Sequence, residues 1–232
     1  MKYLSTVIFL SCTLCCYAQN NDSLPITILM GKQDNNFHKF FIPSALIASG
    51  TLSQIHFRGS LNAEVYKERT NNIPNFKTSV DNYLQFSPII LAYGFDALGM
   101  KSKTDIINRS VILLKSEIIM SGSVTILKYT IREQRPDRSS RTSVPSGHTA
   151  QAFAAAAFLS EEFGAKYKWV PYLSYSLASS VGVLRIMNNK HYLSDVLIGA
   201  GIGILSTKIS YWTHQYKWGK RKKLSHFKAG KT

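Results

Sequence analysis

Lys128, Arg135 and Arg185 supply cations, His148 and His191 supply imidazoles, and Asp195 supplies a carboxylate, all within one stretch of the chain. Between them lies Pro145-Ser146-Gly147-His148, followed by the helix-forming run Thr149 to Leu159. Ser146 and Gly147 therefore fall at a helix start, where unpaired backbone N–H groups and the positive end of the helix dipole favour an anion. Taken singly these residues are ordinary: Ser146 is a helix cap, Lys128 and Arg135 are solvated helix residues, and His191 with Asp195 is an i, i+4 pair. Taken together, cations, imidazoles and a carboxylate beside an anion-ready turn describe a phosphate site.

The spacing reads Lys-x6-Arg-Pro, then Pro-Ser-Gly-His, then Arg-x5-His-x3-Asp. In order, spacing and residue type it resembles the signature of the type 2 phosphatidic acid phosphatase and vanadium haloperoxidase superfamily. One position departs from that signature: a Ser usually precedes the Arg of the third block, and here it is Leu184. The change removes one polar contact to a phosphate and leaves the principal groups in place.

A phosphate monoester dianion repels nucleophiles, so hydrolysis needs cations on its non-bridging oxygens. Lys128, Arg135 and Arg185 can supply them, with the Ser146 hydroxyl and the Gly147 N–H filling gaps; arginine forks suit this geometry best. The resemblance implies that His191 is the nucleophile and forms a phosphohistidine, that Asp195 holds the far ring nitrogen, and that His148 protonates the leaving alkoxide and then activates water. No metal or cofactor is expected in this scheme. Vanadate, a mimic of five-coordinate phosphorus, is expected to inhibit.

Helical patterns carry these residues. Ile42 to Ile55 is a short apolar helix with Pro43 near its start, and 58–82 reads as loops with one short surface helix. Ser87-Pro88 starts a helix that Gly99 ends. Thr104-Asp105 caps a long helix whose apolar stripe, Ile107, Val111, Leu114 and Ile118, leads on to Lys128 and Arg135; unbroken, it runs about thirty residues and roughly 45 Å. Pro136 ends it, and 137–143 is a polar connection. Further helices are expected over Thr149–Phe163, Val170–Met187 and His191–Trp212, with Asn188-Asn189 turning between the last two. Gly199, Gly201 and Gly203 follow no strand and read as close helix packing, not as a nucleotide loop. No run of alternating strands occurs, so the fold is expected to be all-α, a single bundle of about five to six main helices.

At 232 residues, 45% hydrophobic and 12% aromatic, the chain has enough apolar material for one domain. Residues 1–18 read as a signal peptide: Lys2, an apolar run, and Ala18 before Gln19. Cleavage there removes Lys2 alone among charged residues, taking the formal charge from +15 to +14, and removes Cys12, Cys15 and Cys16 with it. Residues 19–41 then form a polar linker, 42–212 the helical domain and 213–232 a basic tail. The positive charge predicts attraction to anionic lipid or substrate; no nucleic-acid module is present.

Interrupted apolar runs and a mean hydropathy of −0.06 point to a soluble or peripheral bundle. Against this, placing Lys101, Lys103, Arg109, Lys166, Lys168 and the tail Lys217 to Lys223 on the cytoplasmic side satisfies the positive-inside rule. Either topology sets the site outside the cytoplasm. The expectation is an exported, periplasm-facing phosphatase, peripheral or integral in the inner membrane, that takes a phosphorylated small molecule or lipid and rests on anionic lipid. The rivals are a soluble broad-specificity acid phosphatase, a vanadium-dependent haloperoxidase, and a non-catalytic binder of anionic lipid.

Overall fold

The structure, a computed structural model, describes residues 37–55 and 61–215. The expected signal peptide, most of the linker, His56, and the tail beyond residue 215 with Trp218 and His226 lie outside them. Every regular element among the described residues is helical: α1 Phe37–Ile55, α2 Leu61–Asn72, α3 Val80–Leu84, α4 Ser87–Ala97, α5 Ile106–Ile131, α6 Gly147–Phe163, α7 Val170–Met187 and α8 Leu193–Trp212.

α6 and α8 form the centre. The alanine-rich run of α6 has high helix propensity and short side chains, and it is almost wholly buried. α8 lies against it through Gly199 and Gly203: a Cβ at Gly199 would stand 2.6 Å from the Ser146 carbonyl oxygen, and one at Gly203 would overlap the Ala150 carbonyl. Gly201, on another face, does the same for α1, with the Pro43 carbonyl 2.6 Å from its would-be Cβ. These glycines therefore bring three backbones together, as the spacing predicts. α7 covers the other side of α6 through Ala178 and Val181, while α5 closes the bundle with Met120 and Val124 against Ile198 and Ile202. α4 packs Ala92 onto Phe158, Leu159 and Phe163 at the end of α6 remote from residue 147.

Several boundaries differ from the sequence reading. α1 starts at Phe37, with Pro43 inside it, so the linker ends earlier than residue 41. Among the described residues of the region 58–82 two helices occur, α2 and α3; α2 is the expected surface helix, and it sets Asn62, Val65 and Arg69 against the bundle. Phe86, not Ser87, is the N-cap of α4, and Gly99 beyond its end has φ +82°. α5 is capped by Asp105 as expected, but stops at Ile131 because Arg132 turns left-handed with φ 53°. Arg135 therefore lies in the following loop and does not share a helix face with Lys128.

The apolar stripe of α5 faces outward. Ile107 is 54% exposed and Leu114 and Ile118 each 61%, whereas the inward face carries Ile112, Ser116, Met120 and Val124. Ser116 meets Thr207 of α8 by a buried hydroxyl pair at 2.7 Å. Among the described residues two helices, α5 and α8, are long and apolar enough to cross a membrane, and α8 is mostly buried.

The α6–α8 seam can be tested directly. Gly203→Ala is expected to force the seam apart and destabilise by about 1–3 kcal/mol. Gly122→Ala, whose Cβ would meet nothing within 4 Å, should leave the melting temperature unchanged or slightly higher; thermal melts of the two variants check both.

Candidate functional site

The site is assembled where the start of α6, the end of α7, the start of α8 and the loop after α5 converge. That loop is folded back on itself, with the Ser143 N–H donating to the Glu133 carbonyl at 2.9 Å and the Arg135 N–H to the Ser140 carbonyl at 3.0 Å. Lys128, in the last turn of α5, donates from Nζ to the Thr142 carbonyl at 2.6 Å and so ties helix to loop.

Asp195 joins the remaining pieces. Its carboxylate is fully buried, and Oδ2 accepts from the Ser143 hydroxyl at 2.5 Å, the Tyr192 N–H at 3.0 Å and His191 Nδ1 at 3.3 Å. Its carbonyl accepts the Ser146 N–H at 3.0 Å, which seats the start of α6 on the start of α8. His191 precedes α8 instead of lying on it, so the pair is a loop histidine held by a first-turn carboxylate and not two residues on a helix face. A carboxylate can only accept, so Nδ1 carries the proton and Nε2 keeps its lone pair. Burial holds the His191 pKa down at about 4 against the opposing pull of Asp195, which leaves the ring neutral at pH 7.

Ser146 caps α6: its hydroxyl meets the Thr149 hydroxyl at 2.9 Å and accepts from the Thr149 N–H. Its side chain is engaged in the cap, and the Gly147 and His148 N–H groups are among those that a helix cannot satisfy internally. His148 is half-buried, with Nε2 at 2.8 Å from Asn82 Oδ1. Burial lowers its pKa to about 4, and Arg185, His191 and Arg135 press in the same direction. These groups are thus near enough to act on one another.

Arg185, at the end of α7, gives one Nη1 bond of 2.6 Å to Asp81. Its Nε and the Nε of Arg135 are buried without a protein acceptor. Buried donors of this kind are costly, and Arg109 at the other end of the bundle carries two more, so they do not by themselves mark a site; the cationic side chains gathered beside the start of α6 are what suits a tetrahedral oxyanion. The arrangement can hold such an anion beside a neutral imidazole that has a free lone pair.

The structure also brings in residues that the sequence reading left aside. Asp81 and Asn82 of α3 reach Arg185 and His148, in a region read as loop. Glu133, half-buried and accepting the Gln54 amide at 2.8 Å, has its pKa raised to about 7 by burial and then by Asp195. No spacing rule marks these positions; only Ser79, a cap-type residue ahead of α3, hinted at a helix there.

Residues 109–219 match the model of the PAP2 superfamily. Over 139 residues the chain is 36% identical to lipid A 1-phosphatase from Porphyromonas gingivalis; the aligned part is 60% of this chain and spans 31% of that relative's length. Among solved structures, LpxE from Aquifex aeolicus superposes with a TM-score of 0.51 at 23% identity, covering 66% of this chain and 96% of the other.

The two depressed histidines make the fold sensitive to acid. Each binds a proton in the unfolded chain near its ordinary 6.5 but in the fold only near 4, so stability is lost as pH falls through that window. Thermal melts at pH 7 and pH 5 are expected to show a larger drop for the native chain than for the double variant His148→Gln, His191→Gln, with Glu133 common to both.

Proposed function

We infer, from the match of residues 109–219 to the PAP2 superfamily model together with the geometry of the site, that the chain is a phosphatase acting on the phosphate monoester or pyrophosphate of a lipid. The observation that carries this reading is the Asp195–His191 contact, because it leaves Nε2 of a neutral imidazole unpaired beside the cations. The chemistry of a phosphoenzyme follows from it. Lys128, Arg135, Arg185 and the N–H groups of Gly147 and His148 spread the charge of the three non-bridging oxygens. His191 Nε2 attacks phosphorus, the bond to the leaving oxygen breaks, and a protonated His148 delivers its proton to that oxygen. A substrate dianion offsets the pressure of Arg185 and Arg135 and draws His148 toward its protonated form. Water then gives a proton back to His148 and attacks the phosphohistidine, releasing phosphate and restoring His191. Asp195 stabilises the cationic ring throughout. The scheme balances without a metal ion.

The lipid part of the reading rests on surface chemistry and on the relative whose name gives a lipid substrate. α5 is 26 residues long, about 39 Å, against a hydrocarbon core of about 30 Å, and its outward face is Ile107, Leu114, Ile118 and Ile126. A soluble bundle does not present such a stripe to water. Lys101, Lys103, Lys166 and Lys168, all exposed, gather at the end of the bundle remote from the site, the side that the positive-inside rule assigns to the cytoplasm. At the site end Lys190 pairs with Asp137, Arg185 with Asp81 and Lys128 with the loop, while Arg132, Arg138 and Arg141 are exposed, so the assignment rests on the four lysines of the opposite end. The site then opens on the outer side of the membrane.

His191→Ala is expected to reduce phosphate release from p-nitrophenyl phosphate and from a lipid phosphate in mixed micelles by several orders of magnitude. Native activity should survive a chelator and be blocked by vanadate. Activity retained in His191→Ala, or lost to the chelator, would refute the scheme.

A further inference from the structure

α3 is only five residues long, yet two successive side chains from it enter the site. Asp81 is 1% exposed; its Oδ2 takes Arg185 Nη1 at 2.6 Å and its Oδ1 takes Asn188 Nδ2 at 3.2 Å. Asn188, just past α7, also exchanges bonds with Thr78, accepting its N–H at 2.8 Å and donating to its carbonyl at 3.0 Å. The end of α7 is therefore stapled to the chain entering α3. Asn82 meets His148 Nε2 at 2.8 Å, and its own carbonyl is held by Gln85 Nε2 at 2.8 Å.

A buried carboxylate on an anion-binding arginine is a poor choice if charge alone matters. It cancels part of the attraction, and as a stabilising pair it offers little over well-packed apolar residues. What it does provide is direction: with one Nη1 fixed, the planar guanidinium cannot rotate, and its remaining donors keep a constant aim. Asn82 acts likewise on the imidazole. A ring whose Nε2 is engaged by an amide has only Nδ1 left to exchange a proton.

We propose that α3 is the positioning element of the site, with Asp81 aiming the Arg185 fork at the phosphoryl oxygens and Asn82 holding His148 so that Nδ1 serves the leaving oxygen. This inference rests on the phosphatase reading and adds two positioning residues to it. The charged or titratable groups that act most strongly on His148 are Arg185 of α7, Asp81 of α3, His191 ahead of α8 and Arg135 of the loop after α5.

The two roles give opposite signatures from those of charge or stability alone. Asp81→Asn removes a negative charge, so a purely electrostatic role tightens vanadate inhibition, whereas loss of aim weakens it; the expected result is a Ki about ten-fold higher, with a matching rise in KM. Asn82→Asp sets a carboxylate against the His148 ring and stabilises its cation, so the basic limb of the kcat profile should move up by about one pH unit. Asn82→Leu should move that limb down and lower kcat. Circular dichroism melts establish folding, and Asp81→Glu and Asn82→Gln stand in for any variant that does not fold. An unchanged or tighter vanadate Ki in Asp81→Asn, or a limb that stays fixed across the Asn82 variants, overturns the proposal while native activity upholds the phosphatase reading. A folded native chain inactive on every phosphate ester overturns both.

Discussion

One buried carboxylate organises this end of the molecule. Asp195 has no access to water, and an uncompensated charge there would be prohibitive, so its oxygens must be met by protein donors. They are met by one distant piece and two local ones: the Ser143 hydroxyl from the loop after α5, fifty-two residues away, and the His191 ring and Tyr192 N–H from the turn that leads into α8. Its carbonyl adds the start of α6. The need to satisfy one anion thus draws the loop and both helix starts to a point, and the histidine is fixed in its tautomer by the same bonds.

The glycines and alanines of the bundle serve that convergence. The starts of α6 and α8 can lie side by side only if their backbones touch, and Gly199 against Ser146 is the contact nearest the site. At the far end Glu162, buried, takes the Thr104 hydroxyl at 2.8 Å and N–H at 3.0 Å and also the Tyr211 hydroxyl, so α6, α8 and the start of α5 are locked there too. Arg109, wholly buried, pairs with Asp96 at 2.9 Å and lies over the Tyr93 ring. With both ends fixed, the site sits on a rigid frame.

Much of this was legible in the sequence. The caps Asp105 and Ser146, the exact span of α7, the turn at Asn188-Asn189 and the packing role of the three glycines all follow from local chemistry, which the fold did not override. The misses have physical causes. The end of α5 depends on Arg132 adopting a left-handed conformation that a residue with a Cβ disfavours and that no pattern announces. The stripe on α5 keeps the helical spacing read from the sequence; that it faces outward was not legible, since periodicity reports a phase and not which side is wet. Asp81 and Asn82 escaped because their partners are about a hundred and about sixty-six residues away, and contacts at that range carry no spacing rule.

α5 carries two independent demands on one rotational setting. Lys128 reaches the loop from the same helix whose Ile107, Leu114 and Ile118 look outward and whose Met120 and Val124 look in. Successive residues on such a helix are turned by about 100°, so a single insertion or deletion between Ile118 and Lys128 would swing the ammonium away from its loop while the upstream apolar face stayed put. Length in this segment is therefore frozen, whereas in the loop that follows, which is pinned at Asp137 by Lys190 and at Ser140 by the Arg135 N–H, only the outward side chains such as Gln134 and Arg141 are free to vary.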